Sequence, residues 1–210
     1  TAALPLPLPP QSPITFICVY SSDKILYNKI IVNVKIFVAL VYKIYKFLRR
    51  NRIMCESKNP RNRKYFAAAN SYNGFVSLFD KVFKSEDFNR IYLLKGGPGT
   101  GKSSLMKKIA FHLKDKRCDV DEIYCSSDPK SLDGVIAKNC DKKIAIIDGT
   151  APHERDAKIP GAIDEIIDLA SGFDLLWITG RRKDIIEINE EKKNAYKTAY
   201  SYLRIAGSSY

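Results

Sequence analysis

Gly96-Gly97-Pro98-Gly99-Thr100-Gly101-Lys102-Ser103 decides how this chain is read, because the stretch is a full G-x-x-x-x-G-K-[ST] match and both flanks agree with it. Arg90-Ile91-Tyr92-Leu93-Leu94 before it reads as an apolar strand. Leu105, Ile109 and Leu113 after it recur every four residues, on one face of a helix. A strand, a glycine-rich turn and a helix in that order make a loop whose backbone N–H groups surround a chain of phosphates, helped by the positive end of the helix. Gly96, Gly97, Gly99 and Gly101 permit the close approach, so the expected binding segment is Gly96, Gly97, Pro98, Gly99, Thr100, Gly101, Lys102, Ser103 and Ser104. Lys102 is expected to reach the β and γ phosphates of ATP. The Ser103 hydroxyl is expected to ligate a Mg²⁺ ion bridging the same phosphates, since magnesium takes few protein ligands. The competing reading is a glycine-rich turn that binds nothing, which the flanking strand and helix disfavour.

Such a site needs an acidic group at the end of a neighbouring buried strand, and Lys143-Ile144-Ala145-Ile146-Ile147-Asp148 supplies one 45 residues beyond Ser103. Asp148 is expected as the second metal ligand; otherwise it caps its own Asp148-Gly149 turn. A third strand, Asp121 to Ser126, leads into the polar run Ser127 to Gly134. The order strand, phosphate loop, helix, strand, short helix, strand predicts a parallel sheet with right-handed crossovers. Asp128 then lies on the same carboxyl edge. It either orients a water or accepts a substrate hydroxyl proton, or it starts the Asp-Pro turn.

The general base is not fixed by spacing, because Gly149 stands where many P-loop ATPases place a glutamate. Thr150 to Asp156 is read as a loop that folds back over the phosphates, with His153 and Glu154 as candidates. His153 positions water or is a solvated loop histidine; Arg155 neutralises transition-state charge or pairs with Asp156. Lys102, Asp148, Asp128 and Glu154 are the expected catalytic set.

Leu94 to Lys108, Cys125 to Pro129 with Ser131 to Gly134, and Ile146 to His153 together resemble a poorly characterised bacterial family of P-loop ATPases, and the likeness runs from about Arg63 to the C-terminus. The resemblance implies an AAA-like ATPase fold, an α/β P-loop NTPase three-layer sandwich, in a longer protein with two related P-loop halves. This chain would be the first half, and the missing second half or another copy would be its partner.

The other segments bound that reading. Of the net charge of +12, residues 1–53 carry +7, leaving +5 for Met54 to Tyr210. Those first residues hold no glycine and open with Leu4-Pro5-Leu6-Pro7-Leu8-Pro9-Pro10, an extended stretch. Residues 30–48 are apolar over a membrane-spanning length but interrupted by Asn33, Lys35, Lys43 and Lys46. Residues 1–53 read as translated upstream sequence with Met54 as the start, as a membrane anchor leaving the catalytic domain in the cytoplasm, or as an amphipathic surface helix. The five cysteines show no C-x-x-C and are expected as free thiols of a cytoplasmic protein.

Within residues 63–180, the expected ATPase domain, Phe75, Phe79 and Phe83 are expected on one helix face, packing in the core or stacking on adenine. Ala162 to Leu169 reads as a helix burying Ile163, Ile166 and Ile167. Leu175 to Ile178 is a strand or a helix start. Residues 181–210 read as an amphipathic helix in want of a partner, with Arg181 and Arg182 as phosphate sensors or solvated surface groups. Three functions follow: an ATP hydrolase, which ranks first, a small-molecule P-loop kinase, and a nucleotide-dependent nucleic-acid-binding module. The +5 of the domain and the lack of basic and aromatic interleaving weaken the last.

Overall fold

The computed structural model describes residues 57–139, 142–170 and 175–208, together with Val38, Ala39, Tyr42, Lys43 and Lys46. The proline-rich opening, Met54 and most of residues 30–48 therefore lie outside the described residues. In chain order the elements are β1 (Asn62–Phe66), β2 (Ala68–Ser71), β3 (Gly74–Ser77), α1 (Phe79–Val82), β4 (Arg90–Lys95), α2 (Lys102–Asp115), β5 (Asp119–Tyr124), β6 (Leu132–Asn139), β7 (Lys142–Asp148), β8 (Asp164–Asp168), α3 (Leu175–Gly180) and α4 (Arg182–Gly207). Among the described residues no helix is long and apolar enough to cross a membrane.

Six strands pair in the spatial order β1-β5-β6-β7-β4-β8, while β2 and β3 form a separate antiparallel hairpin. Every pairing in the large sheet is parallel except those of β6, which runs antiparallel to both β5 and β7. This corrects the expected all-parallel sheet. Where a short helix was expected between the third strand and the Lys143 strand, the chain forms strand β6, because Val135, Ile136 and Ala137 bury side chains on both faces of the sheet while its backbone satisfies two ladders. Ala162 to Leu169 is likewise not a helix: β8 pairs in parallel with β4, from Ile91↔Asp164 to Lys95↔Asp168, and leaves Ile166 exposed. The expected helix through Phe75 begins only at Phe79, since Gly74 to Ser77 pairs with Ala68 to Ser71 in the hairpin.

Alternating side chains of the central strands feed two cores, as a period of two requires. On one face Tyr92, Leu94, Ile144 and Ile146 meet Leu105, Met106, Ile109, Ala110 and Leu113 of α2. The expected stripe of Leu105, Ile109 and Leu113 is fully buried there. Each such side chain contributes about 1.5–3 kcal/mol by leaving water. On the other face Ile91, Leu93, Ala145 and Ile147 meet Phe79, Phe83 and Phe88. That second layer is built of the hairpin side, α1 and connecting segments, rather than of long helices.

Cys118 at the entry to β5 is disulfide-bonded, its partner outside the described residues, whereas Cys125 is a free thiol. The expectation of free thiols throughout fails at Cys118. Two cysteines bond when their Cα atoms come within about 7 Å, which spacing along the chain does not reveal.

Because β4, β5, β7 and β8 point the same way, their carboxyl ends share one edge, and β6 starts from it. Gly96–Gly101, Cys125–Ser131, the segment from Gly149 onward and Leu169 all gather there. The edge is sewn by main-chain bonds: Gly149 N–H donates to Leu94 O at 3.0 Å, and Leu169 N–H to Lys95 O at 2.8 Å.

Candidate functional site

The loop from Gly96 to Gly101 turns between β4 and α2 through backbone angles that only glycine takes easily. Gly96 has φ +152°, and a Cβ there would sit 3.0 Å from Thr100 Oγ1 and 3.2 Å from Leu169 Cβ. Gly101 has φ +88° and starts α2 in the left-handed region. Thr100, buried, ties the turn by donating Oγ1–H to Gly97 O at 2.9 Å. No side chain caps α2 and no acidic residue occupies its first turn, so its positive end faces the loop uncompensated by charges of its own first turn. Pro98, Gly99 and Ser104 are exposed.

The parallel register Leu94↔Asp148 sets the acidic residue beside the strand that leads into the loop. Lys102 Nζ donates to Gly96 O at 2.5 Å and Gly97 O at 3.2 Å, and stands 3.6 Å from Asp148 Oδ2. Both side chains are largely shielded, at 10% and 15% exposure. Asp148 Oδ1 accepts hydrogen bonds from Thr150 N at 2.9 Å and Thr150 Oγ1 at 2.5 Å. Burial pushes the Asp148 carboxyl above its ordinary range, and the Thr150 bonds and Lys102 offset part of that rise. Asp148 does cap its own turn through one oxygen, and its other oxygen faces the lysine. Ser103 Oγ accepts the N–H of Leu132 at 2.9 Å, which joins the start of α2 to the start of β6.

The segment after β7 is anchored inward by two of its side chains. His153 is buried, with Nε2 donating to Asp133 Oδ2 at 2.9 Å and its ring stacked on Phe79 at 4.1 Å between centroids. Phe75 packs on it at 5.0 Å. Neither a solvated histidine nor a water-positioning one describes this geometry. Arg155 is also buried: it donates to Phe83 O and to Ser85 Oγ, and stands 3.6 Å from Asp164 Oδ1. Asp156 pairs instead with Lys95, whose Nζ also donates to Gly149 O at 2.7 Å. Between the two anchors Glu154 is exposed. Asp128 is exposed as well; its Oδ1 accepts Lys130 N–H at 3.0 Å and its carbonyl accepts Ser131 N–H at 2.8 Å, so it does start a turn.

Lys102 and Asp148 are thus brought together, Ser103 follows Lys102 in α2 and is engaged by Leu132 N–H, and Asp128 and Glu154 are exposed at the same edge. The three phenylalanines are clustered, but Phe79 stacks on the His153 imidazole and Phe75 packs tilted against it. Arg181 covers the Trp177 ring at 4.3 Å, and Arg182 is exposed. Asp133 and Lys95 went unremarked as site residues. For Asp133 the available signal was a second Asp-Gly pair, Asp133-Gly134, at the same sheet edge as Asp148-Gly149. Among the described residues no group of three or more His, Cys, Asp or Glu is placed to hold a metal ion. No protein-family model, no curated protein and no solved structure matches this chain.

Proposed function

We propose that the chain binds Mg-ATP in the Gly96–Ser104 loop and hydrolyses it, as the first half of a longer P-loop ATPase. The observation that carries this reading is the placement of Lys102 Nζ, 3.6 Å from Asp148 Oδ2 and held otherwise by two backbone carbonyls of the loop. A buried ammonium whose hydrogen bonds go to weak neutral acceptors gains by exchanging them for phosphate oxygens. Lys102 would then neutralise the β and γ phosphates, the first amides of α2 would hold phosphate oxygens, and Asp148 with Ser103 would supply the protein side of a magnesium shell. Magnesium, when bound, supplies charge neutralisation at the phosphate oxygens.

A small-molecule kinase is the second reading, favoured by one observation. His153 and Arg155 are sequestered, which leaves Asp128 as an exposed carboxylate at this edge, where it would accept a proton from an acceptor hydroxyl. The test is phosphate release from Mg-ATP by the chain beside Lys102→Ala, with and without single-stranded DNA or RNA. Turnover that depends on Lys102 supports the hydrolase, and stimulation by nucleic acid adds the third class. ATP binding without turnover favours transfer to an acceptor or the need for the second half. No nucleotide binding at all overturns the site.

A further inference from the structure

Lys95 ends β4 immediately before the Gly96–Gly101 loop, with 28% of its side chain exposed. Its Nζ donates to Gly149 O at 2.7 Å and stands 3.2 Å from Asp156 Oδ1. The two contacts are unequal. Asp156 is 96% exposed, so that ion pair is weakened by water, whereas the bond to the carbonyl is short and partly shielded. Asp168, the register partner of Lys95 on β8, turns Oδ1 to Ala170 N–H. Gly149 N–H donates to Leu94 O at 3.0 Å, so consecutive residues of β4 hold both main-chain polar groups of Gly149. A Cβ at 149 would stand 3.3 Å from Lys95 Cε and 3.4 Å from Arg155 O. The glycine that stands where many P-loop ATPases place a glutamate thus leaves room for the Lys95 stem.

The residue before Gly149 is Asp148, with Oδ1 on Thr150 and Oδ2 3.6 Å from Lys102 Nζ. Two lysines that flank the loop therefore bear on one strand end, Lys102 through the carboxylate and Lys95 through the next carbonyl. A nucleotide would treat them differently. Lys102 drawn to phosphate oxygens gives up Asp148, while the bond from Lys95 to Gly149 O involves neither group and persists. We propose that Lys95 is a positioning residue for Asp148: by gripping Gly149 O it keeps the carboxylate beside the loop when Lys102 turns to the phosphates. The magnesium-binding part of this role rests on the nucleotide reading; the grip on Gly149 does not.

The full chain is compared with Lys95→Met, which keeps the stem against Gly149 and removes the ammonium, and with Asp156→Ala, which removes only the exposed partner. Without nucleotide, native-state hydrogen exchange read by NMR is expected to show ~10-fold lower protection of the Gly149 and Thr150 amides in Lys95→Met, from the lost bond to a charged donor. Ile146, inside β7, is expected to keep its protection, and Asp156→Ala to leave all three amides unchanged. With ATP, calorimetry is expected to show Lys95→Met losing ~10-fold in affinity when magnesium is present and less than ~2-fold when it is absent, the pattern of a group that supports a metal ligand. Unchanged exchange at Gly149 and Thr150 overturns the grip. Equal loss of affinity with and without magnesium, or no loss in either, overturns the role toward Asp148. A wild-type chain that binds no ATP removes the nucleotide reading and the magnesium-binding part with it, and the exchange measurement still decides whether Lys95 holds the Asp148 turn.

Discussion

Two segments leave adjacent parallel strands at the same sheet edge and are built on opposite principles. After β4, Lys102 is held by backbone carbonyls and one carboxylate, all of them acceptors that a phosphate can replace. After β7, His153 and Arg155 reach inward, each with 3% of its side chain exposed, into buried partners: His153 to Asp133, with its ring against Phe75 and Phe79, and Arg155 to Ser85, Phe83 O and Asp164. The contrast teaches that a charged residue near a candidate site is judged by whether its partners can be exchanged. Lys102 has partners that can be exchanged; His153 and Arg155 belong to the packed interior beside it.

The largest effect that would break this contrast belongs to Arg155. Arg155→Ala removes the only cation facing fully buried Asp164 among the described residues, leaves its Oδ2 with the N–H groups of Lys158 and Ile159 and the Ser85 hydroxyl, empties a buried guanidinium site, and is expected to cost about 2–4 kcal/mol in urea unfolding. A loss below about 1 kcal/mol, together with lost turnover, would return Arg155 to a catalytic role. Lys102→Ala should behave in the opposite sense. Stability is expected to change by less than about 1 kcal/mol, while ATP affinity measured by calorimetry falls ~10–100-fold, the worth of a hydrogen bond to a charged group.

Asp148→Asn sharpens the same contrast. Burial keeps the native carboxyl protonated to a higher pH than the unfolded one, so its ionisation costs stability as pH rises past the ordinary carboxylate range. The amide should therefore leave the ligand-free protein as stable or more stable at neutral pH, by thermal melts. Its expected loss is in the magnesium-dependent part of nucleotide binding; equal loss with and without magnesium makes the aspartate structural. Asp128→Ala is expected to do least, about 0.5–1 kcal/mol from the lost turn bond. Unchanged phosphate release in that variant fits the hydrolase, and abolished transfer to an acceptor fits the kinase.

The strand, loop and helix around Lys102 were legible because each is written in consecutive residues with its own period. Asp148 was legible for the same reason, as the polar end of a continuous apolar run. Strand β6 was not: Val135-Ile136-Ala137 is too short and too apolar for its period to separate strand from helix, although its β-branched pair between Gly134 and Asn139 favoured a strand. Strand β8 failed likewise, because its apolar pair exists to cover an edge of β4 that only the folded sheet presents. The pairing of His153 with Asp133 depends on register between strands and on a hairpin from elsewhere, neither of which leaves a local mark.

Strand β6 also bears on the order in which the protein assembles. Because it runs antiparallel between β5 and β7, those three strands join through short connections, Cys125–Ser131 and the two residues between Asn139 and Lys142. Pairing β4 to β7 or β8 instead closes loops of roughly fifty residues or more, a larger entropic cost and a later event in folding. Pulse-labelled hydrogen exchange should protect the amides of β5, β6 and β7 before those of β4, so that Asp148 is seated on a sheet before the Gly96–Gly101 loop has a strand from which to hang.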